Sequence, residues 1–226
     1  MANASHELRT PLTSIRGFVE ALEDGAVNEP DTAERFLGKI RVHADRMAAL
    51  VEDLLELSRL ESGERPPRFE EVIPSEIAED VVASFTGLAN RKRIELKRVD
   101  GAAPTIVTDA DRLRRIVENL VENAVKYTPE GGRVEVASGP GTAGGAVLEV
   151  RDNGPGIGAE HLPRIFERFY RVDKARSREL GGTGLGLAIV KHLAEGMGAH
   201  VRVESELAKG SRFIVTVPAG REHTPA

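Results

Sequence analysis

A histidine followed by a glutamate, at positions 6 and 7 in "SHELRTPL", is the first place in this chain where side-chain types suggest chemistry. A neutral imidazole is a competent nucleophile, and as one ring nitrogen attacks, the other must lose its proton. An adjacent carboxylate can accept or orient that proton. Glu7 would serve equally as a surface glutamate on a charged helix, and Thr10 as a solvated helix residue. Three further stretches carry groups suited to a nucleotide. In "NLVENAVKYTP", Asn119 and Asn123 stand one helical turn apart, with Lys126 and Tyr127 just beyond. Two carboxamides, an ammonium and a ring could serve a metal-bound phosphate and a base. They could also form a plain polar face with a lysine favoured by the helix dipole. In "DNGPGIG", Asp152 precedes alternating glycines, which let backbone approach a ligand while the carboxylate accepts a hydrogen bond. A simple glycine-rich turn has the same letters. "GGTGLGLAIVKHL" presents free amides at the start of an amphipathic helix, a setting for an anion. It does not end in the Gly-Lys-Ser/Thr of a Walker loop, and no ribose-binding acid follows as in a Rossmann turn.

The elements that must position these groups fall into two unlike halves. Leu8, Leu12, Ile15, Val19 and Leu22 recur at steps of four and three, and so do Phe36, Ile40, His43, Met47, Leu50, Leu54 and Leu57. That period is the seam of a coiled coil or four-helix bundle. "EDGAVNEPD" between the runs reads as a turn, with Asp31 and Glu34 expected to cap the second helix. One hairpin cannot enclose its own seam, so a homodimer is the natural completion. In this frame His6 falls at an outward flank position and His43 inside the seam, where a packed histidine is expected. Pro11 lacks an N–H and crowds the carbonyl of Glu7, so a bend is expected just past the histidine. Leu60, at the end of the second run, has no expected cover from the first helix.

After "ESGERPPRF" the pattern changes to short strands and helices. Helices are expected at 75–88, after a cap at Asp109, and at 186–196. Strands are expected at 94–99, 105–107, 133–138, 146–151, 200–205 and 212–217. This order implies an α/β sandwich with helices on one face of the sheet. The expected division is a helical hairpin at 1–62, a linker at 63–69, an α+β unit at 70–219 and an unanchored tail at 220–226. The segment 172–180, "VDKARSREL", is charged, lacks apolar anchors and reads as a mobile lid.

Composition is ordinary for a globular chain of 226 residues, with 40% hydrophobic and 30% charged residues. A net charge of −5 without a basic stripe gives no reason to expect nucleic acid. The absence of cysteine excludes disulfides and thiolate metal sites. No apolar run approaches the roughly 18 residues of a membrane span.

Taken in order, these stretches resemble the five boxes of sensor histidine kinases. "SHELRTPL" resembles the H box, "NLVENAVKYTP" the N box, "DNGPGIG" the G1 box, "IFERFYR" the F box and the glycines from 181 the G2 box. The resemblance covers nearly the whole chain. It implies a dimeric four-helix bundle made from two antiparallel hairpins, followed by a Bergerat ATP-binding domain of the superfamily that includes DNA gyrase. It implies ATP-dependent autophosphorylation of His6, transfer to an aspartate of a separate response regulator, and phosphatase activity toward that regulator. By that resemblance Glu7 handles the proton and Thr10 orients water for dephosphorylation. Asn123 is the Mg²⁺ ligand, with Asn119 in support. Lys126 contacts phosphate, Tyr127 packs on the nucleotide and Asp152 accepts from the adenine amino group. Gly154 and Gly156 shape the first loop. Gly182, Thr183, Gly184, Leu185 and Gly186 form the second, beside the phosphates. Arg168, Arg171 and Lys174 supply positive charge near the γ-phosphate. The resemblance also implies the cytoplasmic portion of a membrane-bound sensor, in which the first helix begins well upstream. Clamp ATPases and anti-sigma serine kinases share the nucleotide boxes but lack the hairpin.

Overall fold

The computed structural model describes residues 2–64, 66–99, 101–173 and 182–219. Helix α1, Ala2–Glu23, and helix α2, Pro30–Ser62, pack against one another across a short turn. Gly25 makes that turn in the left-handed region, followed by one 3-10 turn at Ala26–Asn28. The start of α2 differs from expectation. Pro30 takes the first helical position and Glu29 is the N-cap, so Asp31 lies within the first turn instead of capping it. The fixed φ of proline suits the first helical position, which needs no N–H donor. Helix α1 continues through Pro11. Thr10, Thr13 and Ser14 each turn their hydroxyls back to the carbonyl four residues earlier, at 3.0–3.2 Å.

Beyond the hairpin, β1 (Glu70–Val72) pairs with β3 (Ile106–Thr108) in a small antiparallel sheet. Three residues reading "EEV" carry no strand pattern, which is why β1 is not legible in the sequence. The main sheet has the order β2 (Glu95–Val99), β4 (Arg133–Pro140), β5 (Ala146–Asp152), β7 (Gly210–Val217), β6 (His200–Glu206). Only the β2–β4 pair is parallel. Helices α3 (Pro74–Arg91), α4 (Ala110–Tyr127) and α5 (Gly186–Gly196) pack on this sheet. Residues such as Val134, Val136, Leu148, Val150, Phe213 and Val215 enter the core with α4's Leu113, Ile116, Val117 and Leu120. The alternating positions carry charge: Lys97 meets Glu135 at 3.5 Å, and Arg212 bridges Glu149 and Glu204. One buried and one ionic face is the pattern of a sheet covered on a single side.

Helix α2 faces three environments. Leu50 and Leu57 are buried, Leu54 and Leu60 pack on the same core, and α2 lies against α5. Leu60, for which the first helix was expected to give no cover, is partly buried against the core that includes the α+β unit. A second stripe, Leu37, Ala44, Ala48, Val51 and Leu55, is exposed, and Leu12 and Val19 of the α1 seam are exposed too. His43 is half-buried and stacks on Phe18, with ring centroids 6.1 Å apart. Burial, then Arg46 and Lys39, holds its pKa below the ordinary imidazole value. Among the described residues no helix is long and apolar enough to cross a membrane.

Candidate functional site

A cavity of about 550 Å³ opens between α4, the loop after β5, the start of α5 and one side of α2. Helix α4 is fixed at its start by Asp109, whose side chain accepts from the Arg112 amide at 2.9 Å and the Arg68 amide at 2.8 Å. Its apolar face is locked into the core, which aims Asn119, Asn123, Lys126 and Tyr127 at the cavity. Asn119, expected on a polar face, is only 7% exposed, and its Nδ2 donates to the Arg115 carbonyl at 2.8 Å. Burial pushes the Lys126 ammonium below its ordinary pKa, with Glu122 opposing that shift and Arg171 and Arg46 adding to it. A phosphate in the cavity would relieve a desolvated cation of this kind.

Asp152 ends β5 and lines the same space. Burial raises its pKa, and the amides of Gly154 and Ser211, donating to its carboxylate, pull part of the way back. The Gly154 amide lies 2.8 Å from Oδ1. Gly156 has φ +69, and a Cβ there would stand 2.0 Å from the Glu206 carbonyl oxygen. Only glycine fits this combination of left-handed backbone and close approach. Gly184 repeats the requirement at φ +78, against the backbone of Phe169. Gly182, Thr183, Gly184 and Gly186 line the cavity, whereas Leu185 is fully buried in the core behind it.

The structure brings together groups that the motifs left apart. Arg171, with its side chain 4% exposed, donates from Nη2 to the Thr183 carbonyl at 2.6 Å and stands 3.0 Å from Glu7 Oε2. Arg46 of α2 approaches the same carboxylate at 3.6 Å. The Arg171 Nε is buried without a hydrogen-bond partner. His6 is exposed, and the Thr10 hydroxyl donates to its carbonyl at 3.2 Å. Arg168 does not line the cavity. It pairs with Glu61 at the end of α2, where His192 Nε2 also lies within 3.7 Å. Lys174 and the remainder of the expected lid, with the tail from 220, lie outside the described residues.

Sequence reasoning missed the contribution of α2. Ala49, Glu52 and Asp53 line the cavity, and Asp53 shares a hydrogen bond with the Thr183 side chain. Burial is the main reason the Asp53 pKa lies above the ordinary value. Nothing in the local pattern around Asp53 distinguishes it from the other acids of the helix. The apolar floor, including Ile157, Ile165, Leu187 and Phe213, was also unassigned. An apolar floor together with the Asp152 carboxylate suits a flat aromatic base bearing an amino group.

Comparison with known proteins matches two family models in this order. Residues 1–63 match the His Kinase A (phospho-acceptor) domain, and residues 108–221 match the "Histidine kinase-, DNA gyrase B-, and HSP90-like ATPase". The chain belongs to the histidine kinases. Among relatives of this kinase, the sensor-like histidine kinase SenX3 of Mycolicibacterium smegmatis is 38% identical over 96% of this chain and 56% of its own length. The kinase chain spans 36% to 56% of the length of the curated relatives it matches. Full-length ShkA, solved in complex with AMPPNP, is 31% identical with a TM-score of 0.72, covering 100% of this kinase and 46% of that chain. ThkA, solved in complex with the response regulator protein TrrA, is 25% identical with a TM-score of 0.80, covering 98% and 61%. The helical hairpin and one-sided α/β sheet of the kinase thus agree with the architecture expected from its sequence.

Proposed function

We propose that the chain phosphorylates His6 from ATP and passes the phosphoryl group to an aspartate of a separate response regulator. The observation that carries this reading is the shared cation. Arg171 lines the nucleotide cavity and lies 3.0 Å from the carboxylate next to His6. Donor and acceptor sites therefore meet at one guanidinium. The residues fit ATP: a buried acid for the amino group, a desolvated Lys126, and an unpartnered Arg171 Nε for a phosphate oxygen. Among the described residues no three His, Cys, Asp or Glu side chains are grouped to hold a metal. A donor set of one carboxamide, Asn123, suits Mg²⁺ carried largely by phosphates, where it would neutralise their charge.

In the transfer, a ring nitrogen of His6 forms a bond to the γ-phosphorus while the bond to the ADP oxygen breaks. The proton on the other ring nitrogen passes to Glu7. Because Glu7 is engaged by Arg171 and Arg46, that step requires the carboxylate to exchange partners. Arg171, once released, is positioned to follow the phosphate charge. Thr10 is assigned to orienting water for dephosphorylation of the regulator. The exposed Leu12, Val19, Val51 and Leu55 support a homodimer in which two hairpins complete one bundle. The same proposal puts the chain in the cytoplasmic portion of a membrane-bound sensor, a reading supported by the sensor kinases among its relatives.

The test is incubation with γ-labelled ATP and Mg²⁺. A phosphohistidine gives label that is lost in acid and kept in base, and that moves to the aspartate of an added receiver domain. Acid-stable label would reject His6 as the acceptor.

A further inference from the structure

Lys92 lies outside the cavity, at the end of α3. Its amide closes that helix on the carbonyls of Leu88 and Ala89. Its side chain serves a different helix. Nζ donates to the carbonyl oxygens of Val125 at 2.7 Å, Lys126 at 2.8 Å and Thr128 at 3.2 Å. An ammonium carries three N–H donors, enough to serve all three of these carbonyls. These acceptors lie at the C-terminal end of α4, where a helix runs out of amides to satisfy its own carbonyls. The Ala124 carbonyl, one step earlier, still accepts from the Thr128 amide at 3.0 Å. A cation at this end also complements the helix dipole.

The place that is clamped matters more than the clamp. Asn123, Lys126 and Tyr127 all fall in the last five residues of α4. Thr128, just past the helix, is 1% exposed. It also abuts the acid-glycine loop, since a Cβ on Gly154 would stand 3.5 Å from both Thr128 Cα and the Tyr127 carbonyl oxygen. The end of α4 is therefore the boundary where the phosphate wall meets the wall that holds Asp152. Two neighbouring backbone bonds tie the same corner: the Gly131 amide to the Arg93 carbonyl at 3.0 Å, and the Glu95 amide to the Gly132 carbonyl at 2.9 Å.

We propose that Lys92 is a positioning residue for the nucleotide. It fixes the last turn of α4 so that Asn123, Lys126 and Tyr127 keep a common register with the loop after β5. The proposal rests on the reading of the cavity as the ATP site. Lys92 touches no nucleotide, so its loss should appear in affinity rather than in the transfer step.

The test compares Lys92→Met, which keeps the stem and removes the donors, with Lys92→Arg, which restores a cation. The readouts are the Kd for trinitrophenyl-ATP with Mg²⁺ and the ATP dependence of autophosphorylation. In Lys92→Met the Kd and KM should rise about tenfold or more, the scale of lost hydrogen bonds from a charged donor, with kcat at saturating ATP unchanged. Lys92→Arg should recover most of that loss. If Lys92→Met lowers Tm but leaves Kd and KM unchanged, Lys92 only supports the fold and the proposal is overturned. The same holds if kcat falls while Kd stays constant. Should Lys92→Met fail to fold, Lys92→Gln decides by the same Kd criterion. A wild-type chain that does not bind the analogue would overturn the ATP reading itself, and this proposal with it.

Discussion

The cavity proposed for the nucleotide and the region around His6 are built on different principles. Most of the cavity wall comes from α4, β5 and α5, all locked into one apolar core and cross-tied by backbone contacts at Gly154, Gly156 and Gly184, while α2 closes one side with Ala49, Glu52 and Asp53. The His6 end of α1 is exposed, and ion pairs join the hairpin to the cavity side: Glu7 to Arg171, Glu56 to Arg115, and Glu61 to Arg168. A preorganised binding site gains from rigidity, whereas a phosphoacceptor must approach its donor and then leave it. The hairpin shares apolar contacts with the core through Leu50, Leu54, Leu57 and Leu60, and the Glu7–Arg171 pair is largely buried, so release of the His6 end must break that pair. The partly exposed Glu56–Arg115 and Glu61–Arg168 pairs, individually worth about 0–1 kcal/mol, exchange readily.

The sharpest way to break this comparison is at His6 itself. His6→Gln should accept no phosphoryl group while binding trinitrophenyl-ATP as the wild type does. Label retained on the variant would show that the two regions are not donor and acceptor. Next in size is Glu7→Gln, which should slow autophosphorylation about 100-fold if the carboxylate takes the proton. A faster rate in stopped-flow labelling would instead mean that the ion pair with Arg171 restrains the kinase more than proton acceptance helps it.

Asp152→Asn addresses the cavity side. Nucleotide affinity should fall about 10- to 100-fold, for ATP and ADP alike, as expected for a hydrogen bond to a charged acceptor. Stability should move the other way. Burial holds the Asp152 pKa above the ordinary carboxylate value, so the folded chain binds its proton at higher pH than the unfolded chain. Stability is lost as pH rises from the ordinary carboxylate range through that raised value, and at neutral pH the ionised group is a net cost. Calorimetry of the nucleotide-free variant at pH 7 should therefore show a higher Tm, and below the ordinary carboxylate range the gain should vanish. A lower Tm at pH 7 would show that the amide bonds to Asp152 outweigh its burial. The smallest effect belongs to Glu56→Ala. Its bidentate contact with Arg115 is partly exposed, so the loss in chemical denaturation should stay below about 1 kcal/mol and shrink with added salt. A larger, salt-independent loss would mean that the two regions are fused more firmly than their ion pairs suggest.

Much of this molecule was legible in local pattern. The seven-residue rhythm marked both hairpin helices, Asp109 marked the start of α4, and α5 runs over Gly186–Gly196 as expected. Glycines in loops could be read because a left-handed backbone or a close approach admits little else. The misses have physical causes as well. Pro30 displaced Asp31 from the cap of α2, since a first-position proline sets the helix start. β1 exists only because β3 pairs with it. Asn119 reads as polar and so as exposed, yet its carboxamide is buried because the Arg115 carbonyl satisfies it.

The sequence by itself determined which elements form and which side-chain types stand at the nucleotide loops, since caps, periodicity and glycine conformation act within a few residues. Tertiary structure alone decided which of those groups meet. Arg171 reaches Glu7, Asp53 enters the cavity from α2, and Lys92 closes a helix 33 residues away. Such pairings leave no mark on local pattern, because they depend on how α2, α3, α4 and α5 pack around one core. A periodic sequence specifies which face of each helix is buried, and the packing of those faces then brings particular charges and carbonyls within a hydrogen bond of one another.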